Sequence, residues 1–169
     1  ADELGADRCA AMAVDVTQEQ QVKAMVDACV ATFGRIDVFV ANAGVEGDIG
    51  DIASTDVSNL DRVFAVNVRG VWLGLHYVIP LMRDQGGGSI IITSSGAGVK
   101  GSPNTACYNA SKHAAIGLMR CAALECGAHN IRVNTVNPGA VETRMITSIE
   151  EGFAEAGAPD FRAMVEAVT

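Results

Sequence analysis

The chain has 169 residues, 49% of them hydrophobic, which is enough apolar material for one packed domain and excludes disorder as its main state. Twelve Lys and Arg against twenty Asp and Glu leave a net charge of −8, so no basic surface is at hand to draw in nucleic acid or an anionic membrane. The five cysteines, at positions 9, 29, 107, 121 and 126, form no C-x-x-C pair and are odd in number, the pattern of reduced thiols rather than of a disulfide framework or a zinc knuckle.

The first apolar run is 9–14, and three more follow at 36–41, 89–93 and 131–136, each rich in β-branched or small residues. Such runs suit strands covered on both faces. Between them come helical patterns. Residues 18–33 carry Val22, Met25, Val26, Cys29 and Val30 on one stripe, with Thr17 and Gln20 as a capping box and Gly34 as the stop. Residues 57–83 and 108–128 form two further helices, and Gly86, Gly87 and Gly88 make the turn between the first of these and the third strand. The tail, 146–169, shows a short acidic helix through Ile149, Glu150, Glu151 and Phe153, breakers at Gly157 and Pro159, and another helical turn; it reads as a mobile cap. Alternating strands and helices predict one α/β domain over residues 1–169 with a parallel sheet.

Both ends read as cut. Residues 1–5 resemble the end of a helix, and the final helical turn has nothing after it to pack against, so an internal piece of a longer domain is expected. No G-x-G-x-x-G or G-x-x-x-x-G-K-[ST] occurs; that phosphate-binding turn, and the second-strand residue that sorts a 2′-hydroxyl from a 2′-phosphate, are expected to lie elsewhere.

Tyr108-Asn109-Ala110-Ser111-Lys112 carries the chemistry. Positions i and i+4 share a helix face, so the Lys112 ammonium can sit beside the Tyr108 phenol and favour its ionised form, which makes Tyr108 a candidate general acid and base. Ser94-Ser95 closes a strand, where open α/β sheets place their ligands, and a hydroxyl there can bond a carbonyl oxygen. Asn67 is a polar intruder in the apolar helical run Val63-Phe64-Ala65-Val66-Asn67-Val68.

Asp15-Val16 after a strand, Asn42-Ala43-Gly44 after the next, Asn67, Ser95, Tyr108 with Lys112, and Pro138-Gly139 with Thr143 occur in an order and at spacings that resemble the short-chain dehydrogenase/reductase family over nearly the whole chain. That resemblance implies a doubly wound, NAD(P)-binding Rossmann fold and hydride transfer between a nicotinamide cofactor, NAD or NADP, and a secondary alcohol or ketone. Tyr108 would exchange the proton, Lys112 would lower its pKa and hold the ribose, Ser95, preferred over Ser94 by spacing, would orient the substrate oxygen, and Asn67 would keep a water in the proton relay. Asp15 and Val16 would border the adenine, Asn42, Ala43 and Gly44 the adjoining ribose and backbone, and Pro138, Gly139, Val141 and Thr143 the carboxamide end. No metal is expected. A doubled asparagine is common in the family before Ala-Gly; here Ala41 stands first.

Substrate contacts are expected from residues 45–50, 96–107 and 142–153, where Val99, Pro103, Met145 and Ile146 favour an apolar, cyclic alcohol. Surplus apolar residues on the two long helices, among them Val71, Trp72, Leu75 and Leu118, together with the family habit of pairing there, predict a homodimer or homotetramer. With no long apolar span or leader, the expected location is the cytoplasm. A non-catalytic relative kept for binding or subunit assembly is the competing function.

Overall fold

The computed structural model describes residues 8–158 and 161–166. Three parallel strands, β1 (Val38–Ala41), β2 (Gly88–Thr93) and β3 (Ile131–Val136), lie in the order β1-β2-β3. Parallel neighbours need a crossover connection. Helices α2 (Val57–Phe64) and α3 (Gly70–Asp84) make the first, and α4 (Ala106–Cys126) makes the second. The register pairs Ala41 with Ile92 and Thr93 with Val136, so all three strands end at one level.

The apolar runs divide by alternation. Phe39, Ala41, Ile90, Ile92, Ile131 and Val133 pack against Val26, Val71, Val78, Met82, Ala115 and Cys126 of the helices. Val38, Val40 and Val136 are at least half exposed on the other face. The expected two-sided burial is therefore met on one face only, because the helices that pack on the described strands do so from one side. Residues 9–14 form no strand: β1 pairs with β2 alone, and with no ladder partner beside it this run stays irregular. Residues 1–7, Pro159 and Asp160, and 167–169 lie outside the described residues, and with them the expected N-terminal helix end.

Helix α1 (Glu19–Phe33) starts one residue later than the capping-box reading requires. Its N-cap is Gln18, with no side-chain bond, while the Thr17 hydroxyl donates to the Asp15 carboxylate at 2.8 Å and the Thr17 N–H donates to the same oxygen at 2.9 Å. That local turn aims the hydroxyl at Asp15, and its oxygen accepts from Gln18 Nε2 at 3.0 Å in place of a helix N–H. Gly34 ends the helix as expected, at φ 85° with its N–H on the Val30 carbonyl.

Between α2 and α3, residues Ala65–Arg69 widen into a π-turn with Asn67 at its centre. The whole stretch Val57–Asp84 is long and apolar enough to span a membrane by composition, a length the count of unbroken apolar runs misses. Along it Val63, Val71, Leu73, Leu75, Val78 and Met82 are buried in the fold, while Val57 and Trp72 are exposed. Gly86 and Gly87, at φ 91° and 142°, turn α3 into β2 as expected.

The described part of the tail packs against the fold. Helix α5 (Arg144–Glu155) buries Ile149 and Phe153, and α6 (Phe161–Glu166) sets the Phe161 ring 5.3 Å from that of Phe153. Against Ile49 the cap helix presents Gly152, where a Cβ would stand 2.6 Å from Ile49 Cγ1.

Candidate active site

The carboxyl ends of the three strands are tied into one platform. Thr93 Oγ1 at the end of β2 donates to Asn42 Oδ1 after β1 at 3.0 Å. The Ser94 N–H donates to the Val136 carbonyl at 2.8 Å, and the Gly96 N–H to the Pro138 carbonyl at 2.9 Å. Sequence-distant segments thus meet where a parallel sheet offers its ligand crevice.

Helix α4 begins at Ala106, so Tyr108 and Lys112 stand in its first two turns. Lys112 Nζ lies 5.5 Å from the centre of the Tyr108 ring and donates to the Thr93 carbonyl at 2.9 Å. The lysine is 5% exposed, and burial pushes its pKa down to about 8. The phenol of Tyr108 is shifted upward, chiefly by burial and further by the negative charge of Glu46; its hydrogen bond with Ser95 pulls the other way. The expectation that Lys112 would lower the phenol is thus not met in this structure. Burial is the largest cause of the upward shift, and Ser95 is the group that favours the phenolate.

The two serines separate cleanly. Ser94 is buried, and its Oγ donates to the Lys112 carbonyl at 3.0 Å, a bond that fixes α4 to the sheet. Ser95 is only half-buried; it accepts from the Ala97 N–H at 3.1 Å and reaches Tyr108. Spacing and structure therefore favour the same serine.

Asn67 is 2% exposed, and its amide is fully engaged. Oδ1 accepts the Val45 N–H at 2.9 Å, and Nδ2 donates to the Val45 carbonyl and to Ser111 Oγ, each at 2.9 Å. Ser111 Oγ in turn donates to the Tyr108 carbonyl at 2.7 Å. Ser111, the Thr93 carbonyl and Glu46 are parts of the site that sequence reasoning passed over. Ser111 was the most accessible of them, since it stands inside the Tyr-Lys motif itself.

The candidate cofactor residues surround this cluster. A Cβ on Gly44 would stand 3.4 Å from both Asn67 Oδ1 and Lys112 Nζ, so glycine keeps space open over these two polar atoms. An ammonium has three donors, and the Thr93 carbonyl uses one, so Lys112 can still bond a ribose diol. The residues present fit the ribose end of a nicotinamide dinucleotide. Asn42 and Ala43 are exposed beside this space. Asp15 is exposed, and its hydrogen bonds to Thr17 hold its carboxyl below the usual range; Val16 packs on Gly70, and the Arg69 guanidinium donates to the Thr17 carbonyl. Pro138 is joined to Gly96, Gly139 follows it exposed, and Val141 and Thr143 stand exposed at the start of α5, with Thr143 Oγ1 donating to the Val141 carbonyl at 3.2 Å. Among the described residues no group of His, Cys, Asp or Glu could hold a metal ion.

Residues 1–153 match the short chain dehydrogenase family. Levodione reductase of Leifsonia aquatica is 44% identical over 132 residues, covering 78% of this chain and 49% of that protein. Cyclohexanol dehydrogenase of Acinetobacter sp. (strain SE19) is 35% identical over 144 residues, covering 85% of this chain and 57% of its own length. The crystal structure of NAD+-bound xylitol dehydrogenase superposes with a TM-score of 0.85 at 38% identity, over 88% of this chain and 57% of that one. The chain spans about half the length of the curated relatives it matches. With Ser95, Tyr108, Lys112 and Asn67 gathered on one parallel-sheet platform and the family matched over residues 1–153, this chain belongs to the short-chain dehydrogenase family.

Proposed function

We propose that the protein interconverts a secondary alcohol and its ketone with NAD or NADP. The observation that carries this reading is the Ser95-Tyr108-Lys112 cluster at the ends of β1 and β2, with Gly44 leaving room above the lysine. The bound cofactor supplies or accepts the hydride. Tyr108 gives its proton to the carbonyl oxygen or takes it from the hydroxyl, and Ser95 bonds that same oxygen. Lys112 holds the ribose and keeps a positive charge under the ring. Because the Asn67 amide is spent on Val45 and Ser111, a water held there would rest on main-chain atoms of the π-turn.

An apolar, cyclic alcohol or ketone is the proposed substrate class. Two relatives are named for levodione and cyclohexanol, and Met145 and Ile146 at the start of α5 and Val99 after β2 add apolar side chains beyond the strand ends. The test is cofactor fluorescence titration of the full-length protein, followed by turnover of a ketone panel. Binding of a reduced dinucleotide and faster reduction of cyclic ketones than of short polyol-derived ones are expected. No turnover with either cofactor would overturn the activity, and the reverse ranking would overturn the substrate class.

The protein is further proposed to be a homo-oligomer paired through α3 and α4. Trp72 is 57% exposed there, beside a groove lined by Leu75, Ile79, Leu118 and Ala122. Sedimentation showing only monomer at micromolar concentration would refute this. A cytoplasmic location without nucleic-acid or membrane partners is proposed from the net charge of −8 and the five free thiols.

A further inference from the structure

A second buried asparagine stands eight residues before Asn67. Asn59, on α2, is 1% exposed, yet it plays no part in the chemistry proposed above. Its Oδ1 accepts the Asp48 N–H at 2.9 Å and a bond from Arg62 at 3.1 Å, while Arg62 also pairs with the Asp48 carboxylate at 2.6 Å. Asn67 holds Val45 by both its N–H and its carbonyl. Two amides on one helical stretch therefore clamp the loop after β1 at both ends of residues 45–48. Between the clamps Gly47 adopts φ 77°, and a Cβ there would stand 2.8 Å from Asn59 Oδ1 and 2.6 Å from Val63 Cγ2, so the loop lies directly on the asparagine.

We infer that Asn59 is a positioning residue for the reaction, holding residues 45–48 as a fixed wall of the substrate pocket. This rests on the oxidoreductase reading. The loop is joined to the segment that enters α4, since the Gly50 N–H donates to the Asn104 carbonyl at 2.9 Å, and the charge of Glu46, between the clamps, acts on the Tyr108 phenol. It also carries the cap, because Ile49, next to Asp48, is the residue that Gly152 of α5 packs against. Releasing the Asp48 N–H frees the wall without touching Tyr108, Ser95 or Lys112. A wall that drifts weakens substrate binding and leaves the cofactor and the proton donor in place.

Asn59→Leu keeps the branched shape and removes both polar atoms; Asn59→Asp keeps an oxygen for the Asp48 N–H beside Arg62. In the full-length protein Asn59→Leu is expected to raise KM for the ketone by about tenfold or more, with cofactor affinity unchanged. Asn59→Asp should restore most of that loss. Hydrogen exchange supplies a readout without turnover: Asn59→Leu should speed exchange at the Asp48 amide and leave the Val45 amide protected. The inference is overturned by an unchanged KM in Asn59→Leu, by an equal loss of cofactor affinity, by an Asn59→Asp variant no better than Asn59→Leu, or by Asp48 protection that survives the substitution. Lack of turnover by the unsubstituted protein would instead remove the oxidoreductase reading on which the role depends.

Discussion

Asn67 Nδ2 donates to Ser111 Oγ at 2.9 Å, and through that bond the π-turn reaches the helix that carries Tyr108. Removing the asparagine leaves the Val45 N–H and carbonyl without their partner in a tight loop. Asn67→Ala is expected to lose about 3 kcal/mol in a urea melt, and Ser111→Ala about 1 kcal/mol. Because the two share a bond, the double variant should lose measurably less than the two losses added together. Strict additivity would show that the bond does not couple the helices.

Tyr108→Phe keeps the ring over Lys112 and removes only the hydroxyl. Ketone reduction by the full-length protein should fall at least about 100-fold, with the dissociation constant for the dinucleotide unchanged. Turnover near that of the unsubstituted protein would exclude Tyr108 as proton donor.

The buried Lys112 makes stability depend on pH in a defined direction. Its pKa falls from 10.5 in the unfolded chain to about 8 in the fold, so between those values the unfolded state binds more protons and stability rises with pH. Below pH 8 the charged, desolvated ammonium costs roughly 3 kcal/mol, and the cost fades as pH climbs from about 8 towards 10.5. Lys112→Met should therefore melt at higher urea than the unsubstituted protein at pH 7, with the gap closing by pH 10, and should lose turnover. A gap that does not change with pH would contradict the assigned burial.

Gly47→Ala tests the loop from the other side. It places a Cβ at φ 77° and within 3 Å of Val63 and Asn59, so a loss of at least about 2 kcal/mol is expected by denaturant unfolding. Gly117→Ala, in α4 with open space around its would-be Cβ, should be neutral or stabilising and serves as the control.

The chain order of the elements and the Tyr108-Lys112 pair were legible because both depend on short-range pattern: runs of β-branched residues, and an i,i+4 spacing on one helix. The clamp on residues 45–48 was not. Asn59 sits in Ser-Asn-Leu-Asp, which reads as an ordinary polar first turn, and its burial comes from a loop eleven residues earlier folding back on it. The direction of the Tyr108 shift was equally out of reach. A sequence shows which charge stands four residues away, whereas desolvation depends on what the sheet and loops pack around the ring. Residues 9–14 failed for a related reason, since strand composition makes a strand only where a neighbour offers a ladder.

The contact between Ile49 and Gly152 binds the future of two otherwise separate segments. One segment follows β1 and the other is α5, and where they meet there is no slack for a single methyl group. A bulkier residue at 152 demands a smaller one at 49. Replacements across this seam must therefore come in pairs, with a bulkier residue at 152 harmful until its counterpart at 49 arrives.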